Sequence, residues 1–489
     1  MGRFTKMKKE PNLFLAFVPV ISMIVLLSLG YGFFDLPPEP IIIVSTIIAG
    51  IIALYLGYSF EDIMGSVSEK IGKTMPAILI LITVGFMIGA WMIGGTIPML
   101  IYYGLKIINP EYLFLIAFLV TAIVAIFTGT SWGAAGSIGV AFMGVAIGMD
   151  TNLAAVAGAV VSGAYFGDKL SPLSDTTNLA ALSTGVDLYD HIKHMLYTTL
   201  PSFFIAGIVY LIAGFIITGS EGTIPDKVFT IMDTLDQIFS WNLLYLLPLV
   251  IVLYGAIRRK PTIPVMLLAS FIAMANGMVF ENFSLNQVVM ATLNGFDISM
   301  INKASFDASS VIKDIPTLLN RGGMISMMNT LLIAICAIAF AGTMMVSNSL
   351  NVIIQSLLKV VKGTGSLIVT TIVTCLTTIG VTSNGQISIL IPGEALKDAY
   401  VKRGLHPKNL SRTIEDSVTI IEPILPWTAA GAYMAGTLGV PTLSYLPWAI
   451  LCYTGILFAT IWGFTGFGIT KLENNDSEKQ QNLTKRMIK

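Results

Sequence analysis

The sequence predicts an all-α, polytopic membrane protein whose helices are interrupted at two related places. Three observations carry this. Hydrophobic residues make up 55% of the 489-residue chain and charged residues only 11%, against roughly a quarter charged in soluble domains. Apolar stretches of about 18 residues or more, long enough to cross a bilayer, recur from end to end. Two stretches, 130–182 and 383–440, are instead rich in Gly, Ala, Ser and Thr, with prolines in the second half of each. A β-barrel would show short alternating strands. A fully buried core helix explains any single apolar run but not the whole set.

Taken in order, the chain opens with Arg3, Lys6, Lys8 and Lys9, and the next short loop, "DLPPEP", has two acids and no base. The positive-inside rule places residues 1–10 in the cytoplasm. The apolar run Leu13–Phe34 is too long for a signal-peptide core and is read as a retained first helix. Spans are expected at 12–34, 40–58, 77–94, 112–129, 195–217, 241–257, 262–279, 325–346, 366–382 and 444–466. The link 219–240 is polar and acidic, and 295–323 is polar without an assigned side. A loop at Glu69–Lys73, the "RRK" at Arg258–Lys260 and the basic stretch 394–412 are expected on the cytoplasmic side. The tail 471–489 is expected there too, giving an even number of crossings, about ten to twelve by length. Residues 11–470 are read as one transmembrane unit in a cytoplasmic (inner) membrane.

The two unusual stretches resemble each other. "TAIVAIFTGTSWGAAGSIG" (121–139) lies against "TIVTCLTTIGVTSNGQIS" (371–388), and "YFGDKLSPLSDTTNLAALSTGV" (165–186) against "DSVTIIEPILPWTAAGAYMAGTLGV" (416–440). Thr121 pairs with Thr371, and Pro172 with Pro423, which sets Ser171 opposite Glu422. An internal duplication follows, with repeats at about 77–186 and 327–440. Chance likeness of apolar segments is the competing explanation. Paired interrupted helices mark the binding site of a transporter.

Ionisable residues inside a bilayer are costly, about 2.5–3.5 kcal/mol at a helix centre, and generally face a partner or a water-filled path. "GDKLSPLSDTTN" places Asp168, Lys169 and Asp175 in such surroundings. Pro172 removes a backbone donor and disfavours helix at Ser171, so unwinding is expected over Leu170–Ser174. Carboxylate, hydroxyl and freed carbonyl oxygens suit a hard cation. Candidate ion- and proton-binding residues are Asp168, Lys169, Ser171, Ser174, Asp175, Thr176, Thr177 and Asn178, with Na+ at Asp168 and Asp175. Low-dielectric surroundings favour the protonated carboxyl, so one acid can hold a proton or Na+ in turn. Lys169 would neutralise the empty carboxylate or carry the proton itself. The rival reading is a surface loop with solvated charges, against which the apolar flanks argue. Second-repeat and substrate candidates are Thr130, Ser131, Trp132, Asn384, Glu422, Trp427 and Thr428. Glu415 and Asp416 divide evenly between a solvated helix end and a site. Glu281 and Asn282 read as an interfacial helix end at least as well as a ligand.

The motif "GDKLSPLSDTTNLA" (167–180) resembles the signature of NhaC-type Na+/H+ antiporters, a family that includes a malate-2H+/Na+-lactate antiporter. The stretch from "IPGEAL" at Ile391 to "PW" at Trp427 is similar too, and the likeness covers nearly the whole chain. The resemblance implies inverted repeats of the ion-transporter type, with Asp168, Ser171, Asp175, Thr176 and Asn178 at or beside the transport site. Three positions depart from the family pattern. Gly385 stands where an aspartate is common, Glu422 where a small polar residue is, and Thr428 where Asn follows "PW". Compensation of charge and a changed cargo both remain open.

The expected function is therefore Na+ exchanged against H+, with a Na+- or H+-coupled carrier of a small organic acid or amino acid as the alternative. A neutral cavity lined by Trp132, Asn384 or Trp427 would favour the alternative. No cofactor is expected beyond Na+ and H+ as transported ions. The zero net charge gives no sign of nucleic-acid binding, and the three cysteines lack metal-ligand spacing. The sequence carries neither the filter repeats of a channel nor the nucleophile–base pair of an enzyme. The expected partners are the lipid bilayer, the ions, a possible small organic cargo and a second copy in a homodimer.

Overall fold

The computed structural model describes residues 9–31, 33–34, 36–218, 226–258, 260–303, 306–308 and 310–472. Arg3, Lys6, Lys8, Arg259 and the tail beyond 472 lie outside them. The described chain is helical throughout, with no strand among the described residues, only an isolated bridge between Leu405 and Lys471. Nine of the described helices are long and apolar enough to span a membrane. Two bent pairs, Asp226–Ile238 with Leu243–Ile257 and Thr442–Trp448 with Ile450–Thr465, raise the number to eleven. Large apolar side chains such as Phe14, Ile51, Phe204, Ile216 and Phe464 stand exposed on the outside. So much exposed apolar surface fits a bilayer, not water.

The expected spans recur within a few residues of their boundaries, with two differences. Glu69–Lys73 is not a loop. It lies within one helix, Phe60–Ile93, that begins at a reciprocal cap between Ser59 and Asp62. Glu69 and Lys73 sit one turn apart there and pair at 2.7 Å, so charges that suggest a loop in sequence are carried on a helix face. The acidic link 219–240 contains the helix Asp226–Ile238. It buries Val228, Ile231, Leu235 and Ile238 on one stripe, at helical spacing.

Four interruptions organise the interior. Helix Leu113–Thr128 ends at Gly129 and the chain restarts at Ser131, continuing through a π-turn to Gly148. Helix Leu153–Leu170 ends before Ser171 and restarts at Asp175, as Pro172 requires. Helix Thr364–Thr382 ends at Ser383 and restarts at Gly385. Helix Lys408–Glu415 gives way to turns and a 3-10 segment at Glu422–Ile424, and restarts at Ala429.

These breaks match one another closely. Gly129 (φ 67°) and Ser383 (φ 54°) are both left-handed. Thr130 (φ −148°, ψ 119°) and Asn384 (φ −143°, ψ 118°) both cap the next helix through the side chain. Asp175–Thr184 and Ala429–Leu438 are each ten residues long, and end at Gly185 (φ 70°) and Gly439 (φ 71°). Each pair is 254 residues apart. The structural register therefore differs by three or four residues from the one the sequence suggests. Asp168, not Ser171, stands opposite Glu422. Matching prolines drew the sequence alignment to Pro172 and Pro423, but the helix ends set the register.

The halves also interlock. Asp175–Thr184 packs on Gly385–Val401, and Ala429–Leu438 packs on the segment from Ser131 to Gly148. Helices Leu113–Thr128 and Leu153–Leu170 touch through glycine, because a Cβ at Gly163 or Gly167 would overlap the backbone of Phe118 or Ala122. That close approach brings Asp168 to Ser131.

Candidate functional site

The breaks converge on a cavity of about 970 Å³. The part of its lining formed by the helix restarts with Asp168 and Glu422, at equivalent positions of the two halves, is called its floor. Asp168 and Glu422 are both buried and both line it. Asp168 Oδ2 accepts the Ser131 hydroxyl at 2.7 Å. Glu422 Oε1 accepts the Gly385 backbone N–H at 3.0 Å. Ser131 and Gly385 are the first residues of equivalent helix restarts, where unpaired N–H groups and the helix dipole favour negative charge. Each acid is thus held by the same element of its own half.

Neither Asp168 nor Glu422 forms an ion pair among the described residues. The cationic residues lining the cavity are Lys73 and Lys260, both exposed. A buried charge without a partner costs several kcal/mol, so this floor calls for a cation or for protons.

Gly385 explains its neighbour. A Cβ there would collide with the Glu422 carboxylate. The space a side chain at 385 would fill is occupied by the acid from position 422. Two of the positions that depart from the resembling family's pattern, Gly385 and Glu422, therefore meet at one point in space.

The other candidates divide. Thr130, Ser131, Trp132, Ser174, Asp175, Thr176, Asn178 and Asn384 line the cavity with the two acids. Asp175, at the start of its helix, is exposed, unlike Asp168. The Ser174 and Thr176 hydroxyls lie 3.1 Å apart, and Asn178 donates to the Pro172 and Ser174 carbonyls at 3.0 and 2.7 Å. Ser171, Thr177, Trp427 and Thr428 do not line the cavity; they shape its frame. The Ser171 hydroxyl accepts from Leu173 N–H at 3.3 Å, and Thr177 donates to the Lys169 carbonyl at 3.1 Å. Trp427 donates to the Gly380 carbonyl at 3.1 Å, and Thr428 to the Glu422 carbonyl at 2.6 Å while capping its helix.

Lys169 turns away from Asp168. It is buried in an ion pair with Asp416, which also accepts the Thr198 hydroxyl at 3.0 Å. Glu415 and Asp416 are fully buried, not a solvated helix end. Glu281 is likewise buried, accepting from Ser240 N–H at 2.6 Å, from Tyr245 and from Lys303 at 2.7 Å, outside the cavity. Sequence reasoning missed Tyr165 and Tyr433. Both are buried cavity residues, and Tyr433 donates to the Trp132 carbonyl at 2.6 Å. A tyrosine in an apolar run carries no signal of such a place.

Comparison with known proteins gives consistent likenesses. Residues 163–467 match the Na+/H+ antiporter family. A Haemophilus influenzae protein named as an uncharacterized Na+/H+ antiporter is 62% identical over 469 residues, 96% of this chain and 99% of its own. The malate-2H+/Na+-lactate antiporter of Bacillus subtilis is 34% identical, over 95% of this chain and 97% of its own. The Na+/H+ antiporter NhaC of Alkalihalophilus pseudofirmus is 35% identical, over 90% and 93%.

Proposed function

The chain belongs to the Na+/H+ antiporter family, and from that premise we propose that it exchanges Na+ for H+ at the Asp168–Glu422 floor of the cavity. One observation carries the reading: two buried carboxylates without a protein cation face one cavity. Protonated, the floor is neutral. Ionised, it offers carboxylate, hydroxyl and carbonyl oxygens, the donor set of a hard cation. The two loads exclude each other, which is the requirement for exchange. Asp168 is the principal carrier, with the Ser131 hydroxyl steadying its ionised form. The unwound segments beside Pro172 and Pro423 let the floor open in turn to either side of the membrane.

A second reading, exchange of a small organic acid, draws on the size of the cavity and on the Bacillus subtilis relative. It stands second because no buried cation among the described lining residues is placed to hold a carboxylate. The test uses purified protein in liposomes containing a pH-sensitive dye. Under an imposed proton gradient, Na+ alone is expected to move protons and K+ is not. A response that appears only with malate or lactate would replace the first reading with the second.

A further inference from the structure

The cavity is far larger than a sodium ion requires, and its walls are not built for one. Volumes of 300–1,000 Å³ are typical of sites for small organic molecules. Pro76, Ala77, Ile80 and Met87 from one helix and Val265 and Met266 from another give it an apolar side. Beside the acids, Trp132 stacks on Tyr433, with ring centroids 4.2 Å apart and planes at 16°. Tyr433 is buried and Trp132 half-buried, so the indole is the exposed member of the stack. Tyr165, about one turn before Asp168 on the same helix, is buried and lines the same floor. Two carboxylates, an aromatic face and an apolar wall are what an organic ammonium needs: charge pairing, cation–π contact and a place for its hydrocarbon.

We infer that this cavity binds a small organic cation carrying an ammonium group, held by Asp168 and Glu422 with its hydrocarbon against Trp132 and the apolar wall. The inference rests on the cation site proposed above and names a second class of cargo for it. Na+ takes only the floor. The organic cation takes the floor and the cavity above it, so the two compete.

The experiment measures radioactive Na+ bound to the purified full-length protein in detergent at fixed pH, so that amine permeation and pH gradients play no part. Phenethylammonium is titrated in, with hydrocinnamate as the matched anion. Thermal melting in Na+-free buffer reads amine binding directly. Phenethylammonium is expected to displace Na+ at a concentration at least tenfold below that of hydrocinnamate and to raise the melting temperature by itself. In Trp132→Ala, its potency relative to that protein's own Na+ binding is expected to fall about tenfold. Na+ binding that phenethylammonium does not displace would overturn this inference and leave the Na+ site standing. Amine stabilisation without any Na+ binding would keep the organic-cation site and overturn Na+ as cargo. Equal effects of cation and anion, or undiminished potency in Trp132→Ala, would also overturn the inference.

Discussion

The two halves of the molecule solve one problem with different side chains. In the first, Ser131 supplies a hydroxyl and a short aspartate, Asp168, reaches it. In the second, Gly385 supplies only backbone, and a longer glutamate, Glu422, fills the space left by the absent side chain. The backbones of the breaks agree closely, so geometry is shared and chemistry is divided. One half carries a hydroxyl-supported acid and the other a backbone-supported one. The residue after each acid differs as well. Lys169 leads to a buried ion pair with Asp416, whereas Pro423 sits in the first turn of the short 3-10 segment Glu422–Ile424. The Lys169–Asp416 pair ties the two halves together by charge, whereas Glu422 is held within its own half by backbone.

The comparison can be broken most severely at Lys169. Lys169→Met leaves Asp416 buried and uncompensated, a loss of about 3–5 kcal/mol, seen as a lower melting temperature and poor yield in detergent. The double change Lys169→Met with Asp416→Leu should recover most of that stability, because no charge is then stranded. If the single variant melts like the wild type, the locking role of the pair is wrong.

A smaller effect is expected at Gly385. Gly385→Ala puts a methyl against the Glu422 carboxylate and should cost about 1–3 kcal/mol, as overpacking does. Combined with Glu422→Ser, the alanine should become nearly neutral in a double-mutant cycle. Strict additivity would mean that the two positions do not share their space.

Ser131→Ala sharpens the contrast between the supports. It removes a donor to the ionised Asp168, a hydrogen bond worth about 1.5–3 kcal/mol when one partner is charged. Losing it favours the protonated acid, so transport must begin at higher pH. A displacement of about one pH unit corresponds to 1.36 kcal/mol. The pH profile of Na+-driven exchange reads this directly, and an unmoved profile would remove Ser131 from the site. Least affected of all should be Thr428→Ala, which loses a helix cap worth about 1 kcal/mol, read as a small drop in melting temperature.

Much of this was legible in the sequence, for physical reasons. Long apolar runs fix spans because a bilayer leaves no other solution for the backbone. Pro172 foretells its break because the chemistry is local. Asp168 stands out because charge in oil is rare. The register of the repeat was not legible. It is set by helix ends at Gly129, Ser383, Gly185 and Gly439, and the prolines that look aligned are displaced by three residues. Nor was the direction of Lys169, because adjacent helical residues point about 100° apart and nothing local says which one meets Asp416. The link between Gly385 and Glu422 is a contact across 37 residues. Their departures from the resembling family are visible in sequence, but their meeting needs the fold.

The central claim is that the acids of this cavity release protons when Na+ arrives. It is tested most directly by adding NaCl to purified protein in weakly buffered detergent solution and reading the pH, with KCl as control and Asp168→Asn alongside. The account predicts acidification by Na+ in the wild type, little with K+, and loss of the signal in the variant. No proton release, or release undiminished in Asp168→Asn, would contradict it.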